Sequence, residues 1–266
     1  MNLRKYISFL LLVLITSSLF LSSCGSSKDD NSSSPANGAG RLASATVSEA
    51  QTEEPVAIVK NGITVCVDPG HGFDDPGTFS DYLGDLCEKD ITLAVAKELK
   101  SHLELIGYTV VMTHDGESFP KTTAYDDNNK YKPEERVAFA NSLGATIDYY
   151  ISIHCNAFDT EEASGSHIYC YEGPQKAASY DHEITQAVAN QIGAVFPQKG
   201  TPEVENFHYY VVTYTQVPAS LVEIGFVTNP DDAADMINPE WQSKYAKALA
   251  DGIDNYYKAN LLNKNN

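Results

Sequence analysis

The sequence predicts an α/β domain: an open, twisted, mostly parallel sheet with helices on both faces. Three observations predict it. Short, β-branched, almost wholly apolar runs recur, among them Ile63–Val67 (ITVCV) and Tyr149–Ile153 (YYISI), as in strands covered on both sides. Stretches with helical apolar spacing lie between them, the alternation that builds parallel sheets. Each run is also followed within four residues by a histidine, His71 and His154, and the carboxyl edge of such a sheet is where ligands bind.

The chain opens with a targeting segment. Arg4 and Lys5 precede an apolar run from Ile7 to Leu21, which is short for a membrane span and fits the core of an export signal. It ends in Leu21-Ser22-Ser23-Cys24-Gly25, which resembles the lipobox of bacterial lipoproteins. That resemblance implies a signal peptide over residues 1–23 and lipidation of Cys24. Residues 24–55 are rich in Ser, Ala, Asn, Gly and acids, and poor in large apolar side chains. Such a segment buries too little surface to offset its ordering entropy, and is expected to be a disordered linker. The catalytic domain is expected over residues 56–262, with a tail at 263–266.

The first strand, Ile63–Val67, stops at Asp68-Pro69-Gly70-His71-Gly72. Pro69 cannot donate to a ladder, and the glycines permit a tight turn that carries His71. Taken alone, His71 reads as a turn histidine bonded to a carbonyl, and only further ligand-type residues at matching places change that reading. A helix follows, roughly Lys89 to Ile106, with Val95, Leu99, Leu103 and Ile106 on one face and Gly107 as its stop. Glu88 stands at its mouth, where the helix dipole alone would favour a carboxylate. Tyr108–Thr113 is the next strand, Asp115–Lys132 a polar loop near the site, and Pro133–Leu143 a short helix closed by Gly144.

Tyr149–Ile153 is a buried strand running into His154-Cys155-Asn156. Gly165–Tyr171 follows as a strand in which His167 is structural. Ala177–Phe196 is a long helix, Pro197–His208 a loop, and Val211–Thr213 a short strand. Most of His102, His114, His182 and His208 are expected to be solvated or locally bonded on helix faces and loops, His208 being the one whose loop could border the site. In Pro218–Phe226 the carboxylate of Glu223 interrupts an apolar strand, which is costly unless it is paired or faces a metal. Asn229-Pro230 and Asn238-Pro239 mark two helix starts, the second opening a helix to about Leu261.

Two imidazoles and two carboxylates are thereby brought to one sheet edge. Two His and one Glu with an open position form a known catalytic zinc arrangement. His71, Glu88 and His154 are assigned as ligands of Zn2+ at the carboxyl ends of the strands. Glu223 is assigned as the catalytic base, since a carboxylate beside a metal site takes the proton of an attacking water.

At this point the motifs V-D-P-G-H-G, E-K-D, R-V-A-F-A-N, S-I-H-C-N-A and P-A-S-L-V-E-I-G-F-V-T-N resemble the zinc-dependent N-acetylmuramoyl-L-alanine amidases of cell-wall autolysin type. They occur in that family's order across Val56 to Leu261. The resemblance implies hydrolysis of the amide between N-acetylmuramic acid and L-alanine, with His71, Glu88 and His154 as metal ligands and Glu223 as the catalytic glutamate. One departure is His114, where the family often carries arginine, which puts local packing or substrate contact in question. Asn156 is a candidate to orient the metal loop, and Arg136 a candidate to pair with a carboxylate.

Two rival readings share these residues: a zinc peptidase acting on the stem peptide, and a non-catalytic wall-binding lipoprotein. Acidic residues number 36 against 18 basic, and loss of Arg4 and Lys5 with the signal would move the net charge from −18 to −20. No basic stripe is present, which disfavours a nucleic-acid role. The expected partners are peptidoglycan and, through the lipid anchor, a membrane; the expected state is a monomer facing the cell wall. Four cysteines follow Cys24 without a C-x-x-C pair, so a thiolate zinc knuckle is excluded.

Overall fold

The computed structural model describes residues 58–120, 131–174, 176 and 181–264 (side chains to 260). The signal peptide, Cys24 and the linker lie outside the described residues, as do the central part of the Asp115–Lys132 loop and the expected first turn of the Ala177–Phe196 helix. In chain order the elements are β1 (Thr64–Pro69), α1 (Glu88–Leu105), β2 (Thr109–Met112), α2 (Pro133–Leu143), β3 (Tyr149–Asn156), β4 (His167–Cys170), α3 (Asp181–Val195), β5 (Val204–Asn206), α4 (Tyr210–Tyr214), β6 (Ala219–Phe226), α5 (Pro230–Met236) and α6 (Pro239–Lys264).

The six strands form one sheet in the order β2-β1-β3-β6-β4-β5. β1 pairs in parallel with both β2 and β3, and β3 with β6; β4 is antiparallel to β6. The chain leaves β1 for β2 on one side and returns to β3 on the other. The gap between the carboxyl ends of β1 and β3 is therefore a topological switch point, where a crevice must open.

Alternation along the strands sorts the side chains into two layers. Val65, Val67, Ile151, Ile153, Val222 and Ile224 pack with the apolar faces of α1, α3 and α6. Cys66, Tyr150 and Leu221 face the other way, against Val137 and Ala140 of α2 and Val211 and Val212 of α4. With both faces covered, the strands have no polar side to show, which is why they read as continuous apolar runs.

Helix ends follow local chemistry. After α1, Gly107 takes φ 96°. Its N–H donates to the carbonyl of Glu104, and that of Tyr108 to Leu103, the paired bonds of a Schellman stop. Asn229 caps α5, its side chain accepting from the N–H groups of Asp231 and Asp232.

Three expectations need correction. Val211–Thr213 is helical, within α4, because Val211 and Val212 are drawn onto the second face of the sheet. The stretch Pro197–His208 contains β5, which extends the sheet beside β4. His114 is buried at 3 % exposure, not solvated; its Nε2 donates to the Pro69 carbonyl at 3.1 Å, and its ring meets Phe73 at a tilt and Tyr131 edge-on. The strands also run further than their apolar cores: β3 includes His154 and β6 includes Glu223.

Candidate metal centre

The turn after β1 presents His71. Gly70 donates its N–H to Ile153 of β3 at 2.8 Å, tying the start of the turn to the neighbouring strand. His71, Gly72 and Phe73 then take φ values of 64°, 124° and 57°. Three successive left-handed residues are unfavourable for side-chain-bearing positions, by about 1–3 kcal/mol each, and need outside support. Support comes from reciprocal Gly72–Asp75 backbone bonds, from Lys89 Nζ donating to the carbonyl of Phe73 at 2.6 Å, and from the His114 ring beneath Gly72.

Glu88 is the first residue of α1, with 2 % exposure, and its carboxylate is the hub. Oε2 accepts from the Thr78 N–H at 2.9 Å and lies 3.1 Å from His71 Nε2. Oε1 accepts from the Cys155 N–H at 2.9 Å and lies 3.0 Å from His154 Nδ1. The two imidazole rings meet edge to face, centroids 4.9 Å apart. One donor atom from each of His71, Glu88 and His154 lies within 4.8 Å of the other two. His71 Nδ1 donates to Asp75 Oδ2 at 3.0 Å, which fixes the tautomer and leaves Nε2 facing the hub.

The backbone leaves no slack here. A Cβ on Gly77 would fall 2.6 Å from Glu88 Oε2 and 2.7 Å from His71 Cδ2, and one on Gly70 within 2.4 Å of the His154 ring. Glycine at both positions lets the turn approach the three side chains.

Glu223 enters from β6, directly opposite His154 in the β3–β6 register. Its Oε2 is buried and has no hydrogen-bond partner among the described residues. Burial and the repulsion of the Glu88 carboxylate push its carboxyl up to about 8, against a weaker opposing pull from His71. Burial alone would raise Glu88 too, but the two imidazoles more than offset it and hold this carboxyl well below the usual range. Burial lowers His154, outweighing Glu88, so its ring is the more readily neutral of the two; Glu88 and Asp75 raise His71 against burial.

This donor set fits a divalent ion. Two imidazole nitrogens and one buried carboxylate converge, and a second carboxyl group, Glu223, lies beside them with an oxygen that has no partner among the described residues. A cation among them would relieve both the carboxylate repulsion and the desolvation of Glu223.

A second layer lies beneath. Asp68 at the end of β1 is fully buried and bonded by the Arg136 guanidinium, by Ser152 Oγ at 2.6 Å and by Thr113 Oγ1 at 2.7 Å. Burial raises the Asp68 carboxyl, but Arg136 and the hydroxyls bring it below its ordinary value. Arg136 thus has the carboxylate partner expected of it. The Asn156 side-chain oxygen accepts from the Ala157 N–H at 2.8 Å, and its backbone carbonyl accepts from Val227, joining the ends of β3 and β6. Sequence reasoning missed Asp75 and Asp68. Asp75 carried one signal, an acid four residues beyond a turn histidine in a Gly- and Pro-rich loop.

A family model described as N-acetylmuramoyl-L-alanine amidase matches residues 65–255. The chain belongs to that family. Among its relatives, the amidase is 34 % identical over 211 residues to a Bacillus subtilis protein named uncharacterized protein YqiI, covering 78 % of this chain and 89 % of the other. It is 31 % identical to N-acetylmuramoyl-L-alanine amidase LytC of Bacillus subtilis over 78 % of this chain, spanning 37 % of that protein. Of solved structures, N-acetylmuramoyl-L-alanine amidase AmiC2 of Nostoc punctiforme superposes with a TM-score of 0.63 at 27 % identity, covering 75 % of this chain and 99 % of the other. The amidase from Clostridium difficile 630 gives a TM-score of 0.64 at 26 % identity, over 75 % and 98 % of the two chains. The amidase therefore hydrolyses the amide that joins peptidoglycan's sugar to its peptide.

Proposed function

We propose that this amidase is zinc-dependent, with His71, Glu88 and His154 as the ligands and Glu223 as the catalytic acid–base. The observation that carries the reading is the meeting of three donor atoms within 4.8 Å beside a buried, partnerless carboxylate oxygen. When bound, zinc supplies Lewis acidity toward the scissile carbonyl and lowers the pKa of a water. The protein's own residues supply the rest. Asp75 and the Glu88 carboxylate orient His71, and the Thr78 and Cys155 amides hold Glu88 in place. Glu223 takes a proton from the attacking water and returns it to the departing amine of L-alanine, first base and then acid. Its burial beside the ligand set places the carboxyl where it can hold a proton between those two steps.

Mass spectrometry of digested peptidoglycan tests the specificity. The expected products are muramic acid residues with free lactyl carboxyls and intact released stem peptides. Cleavage between amino acids of the stem would instead mark a peptidase on the same metal site.

The amino-terminal segment supports a location. Arg4, Lys5, the apolar run to Leu21 and the Ser22-Ser23-Cys24-Gly25 junction fit a lipoprotein signal. On this reading residues 1–23 are removed, Cys24 carries the lipid, residues 24–55 tether the domain, and residues 56–262 work outside the cytoplasmic membrane. Cys24→Ser is then expected to move the protein from the membrane fraction to the soluble fraction. Full retention in the membrane fraction would contradict the anchor. Among the described residues no helix is long and apolar enough to cross a membrane.

A further inference from the structure

A groove of about 380 Å³ opens between the loop that follows the β1 turn and the loop that follows β3, with Thr228 after β6 at its end. Of the three strands that feed it, β1 leads into the turn that bears His71, and β3 and β6 bear His154 and Glu223. The groove is continuous with the metal centre through the chain. Thr78, whose N–H holds the Glu88 carboxylate, is followed at once by Phe79 of the groove wall. Phe158 lies two residues beyond Asn156.

The walls are tied together. Tyr82 Oη donates to Glu161 Oε1 at 2.6 Å across the groove. Thr228 Oγ1 accepts from the Phe158 N–H at 3.1 Å, and Asn229 Nδ2 donates to the Glu161 carbonyl at 2.7 Å. A groove braced by all three loops is organised before a ligand arrives, which lowers the ordering cost of binding.

Its lining has two characters. Phe79 and Phe158 are 65 % and 61 % exposed, unusual for large aromatic rings without a role at the surface. Asp81, Asp159 and Glu161 add three exposed carboxylates, and among the described residues no lysine or arginine pairs with any of them. Aromatic faces take flat or aliphatic groups, and carboxylates without a basic partner among the described residues complement a cation.

We infer that this groove binds the stem peptide of the substrate and reads a free side-chain amine on it. The alkyl part of a diamino residue lies along Phe79 and Phe158, and its ammonium faces Asp81, Asp159 and Glu161. The inference rests on the amidase reading of the adjoining site, and it adds to that reading which part of the substrate lies on which side of it.

The test uses two readouts on the full domain. Calorimetry measures binding of a stem peptide that carries lysine, against the same peptide with Nε-acetyllysine. Cleavage of the corresponding muramoyl peptides is followed in parallel. Exposed ion pairs individually contribute little, so three carboxylates together are expected to favour the free amine by about five- to tenfold, mainly in Kd and KM, and the preference should fade at high salt. The D81N/D159N/E161Q variant, altered only at exposed side chains, is expected to bind and cleave the lysine and acetyllysine peptides alike. Equal handling of both peptides by the parent, or a preference that survives in the variant, would overturn the groove assignment. Amine-dependent peptide binding without cleavage of either muramoyl peptide would leave the groove standing and contradict the functional reading instead.

Discussion

Replacing Glu223 with glutamine is expected to leave the bound metal at the parent level and cut turnover of a muramoyl peptide roughly 10²- to 10⁴-fold. The reasoning is local. Glutamine keeps the shape and removes a carboxylate whose Oε2 is buried and without a hydrogen-bond partner among the described residues. It cannot take up a proton, so both the attack and the departure of the amine lose their carrier. Metal retention follows because the three donor atoms come from β1, α1 and β3, while Glu223 comes from β6. Loss of turnover together with loss of metal would instead make Glu223 a ligand. Turnover at the parent rate would remove it from the chemistry.

The second large effect concerns the layer beneath the metal centre. Arg136→Met is expected to destabilise the fold by about 3–5 kcal/mol, read as a drop in the urea midpoint at constant m-value. Asp68 is fully buried, and without the guanidinium it is left with neutral hydroxyl partners, Ser152 and Thr113 among them, and no opposing charge among the described residues. An uncompensated buried charge of that kind is a large share of a domain's total stability. The cause can be separated from lost packing. Adding Asp68→Asn to Arg136→Met removes the stranded charge and should restore part of the loss. If the double variant is no more stable than the single one, the ion pair is not what the site needs.

Much of this architecture was legible because burial on both faces writes itself into composition. ITVCV and YYISI have no polar side, and each ends at a residue type that a core does not need, His71 and His154. Glu223 was legible for the same reason: a carboxylate in an apolar strand is too costly to be incidental. The misreadings arose where tertiary context outweighed local preference. Tyr210–Tyr214 is aromatic and β-branched, the composition of a strand, yet it folds as a helix that fills the second face. Val204–Asn206 has too few residues for a period to show, and becomes a strand only because β4 offers an edge. His114 gave no sign of burial, since its pocket is assembled from Phe73 and Tyr131, distant in sequence. Asp68 and Arg136 are 68 residues apart, and nothing short of the β1–β3 pairing and the position of α2 brings them together. The candidate ligands could be named from their places at strand and helix ends, but their common focus depends on side-chain atoms that no periodicity encodes.

The central claim is that three particular atoms grip one divalent ion. Crystals of the zinc-loaded domain, with anomalous data collected above and below the zinc edge, test it most directly. The account predicts one strong anomalous peak bonded to His71 Nε2, His154 Nδ1 and a Glu88 carboxylate oxygen, with Glu223 close by and unbonded to the ion. A peak elsewhere in the domain, or zinc that binds with undiminished affinity to a variant lacking Glu88 and His154, would contradict it.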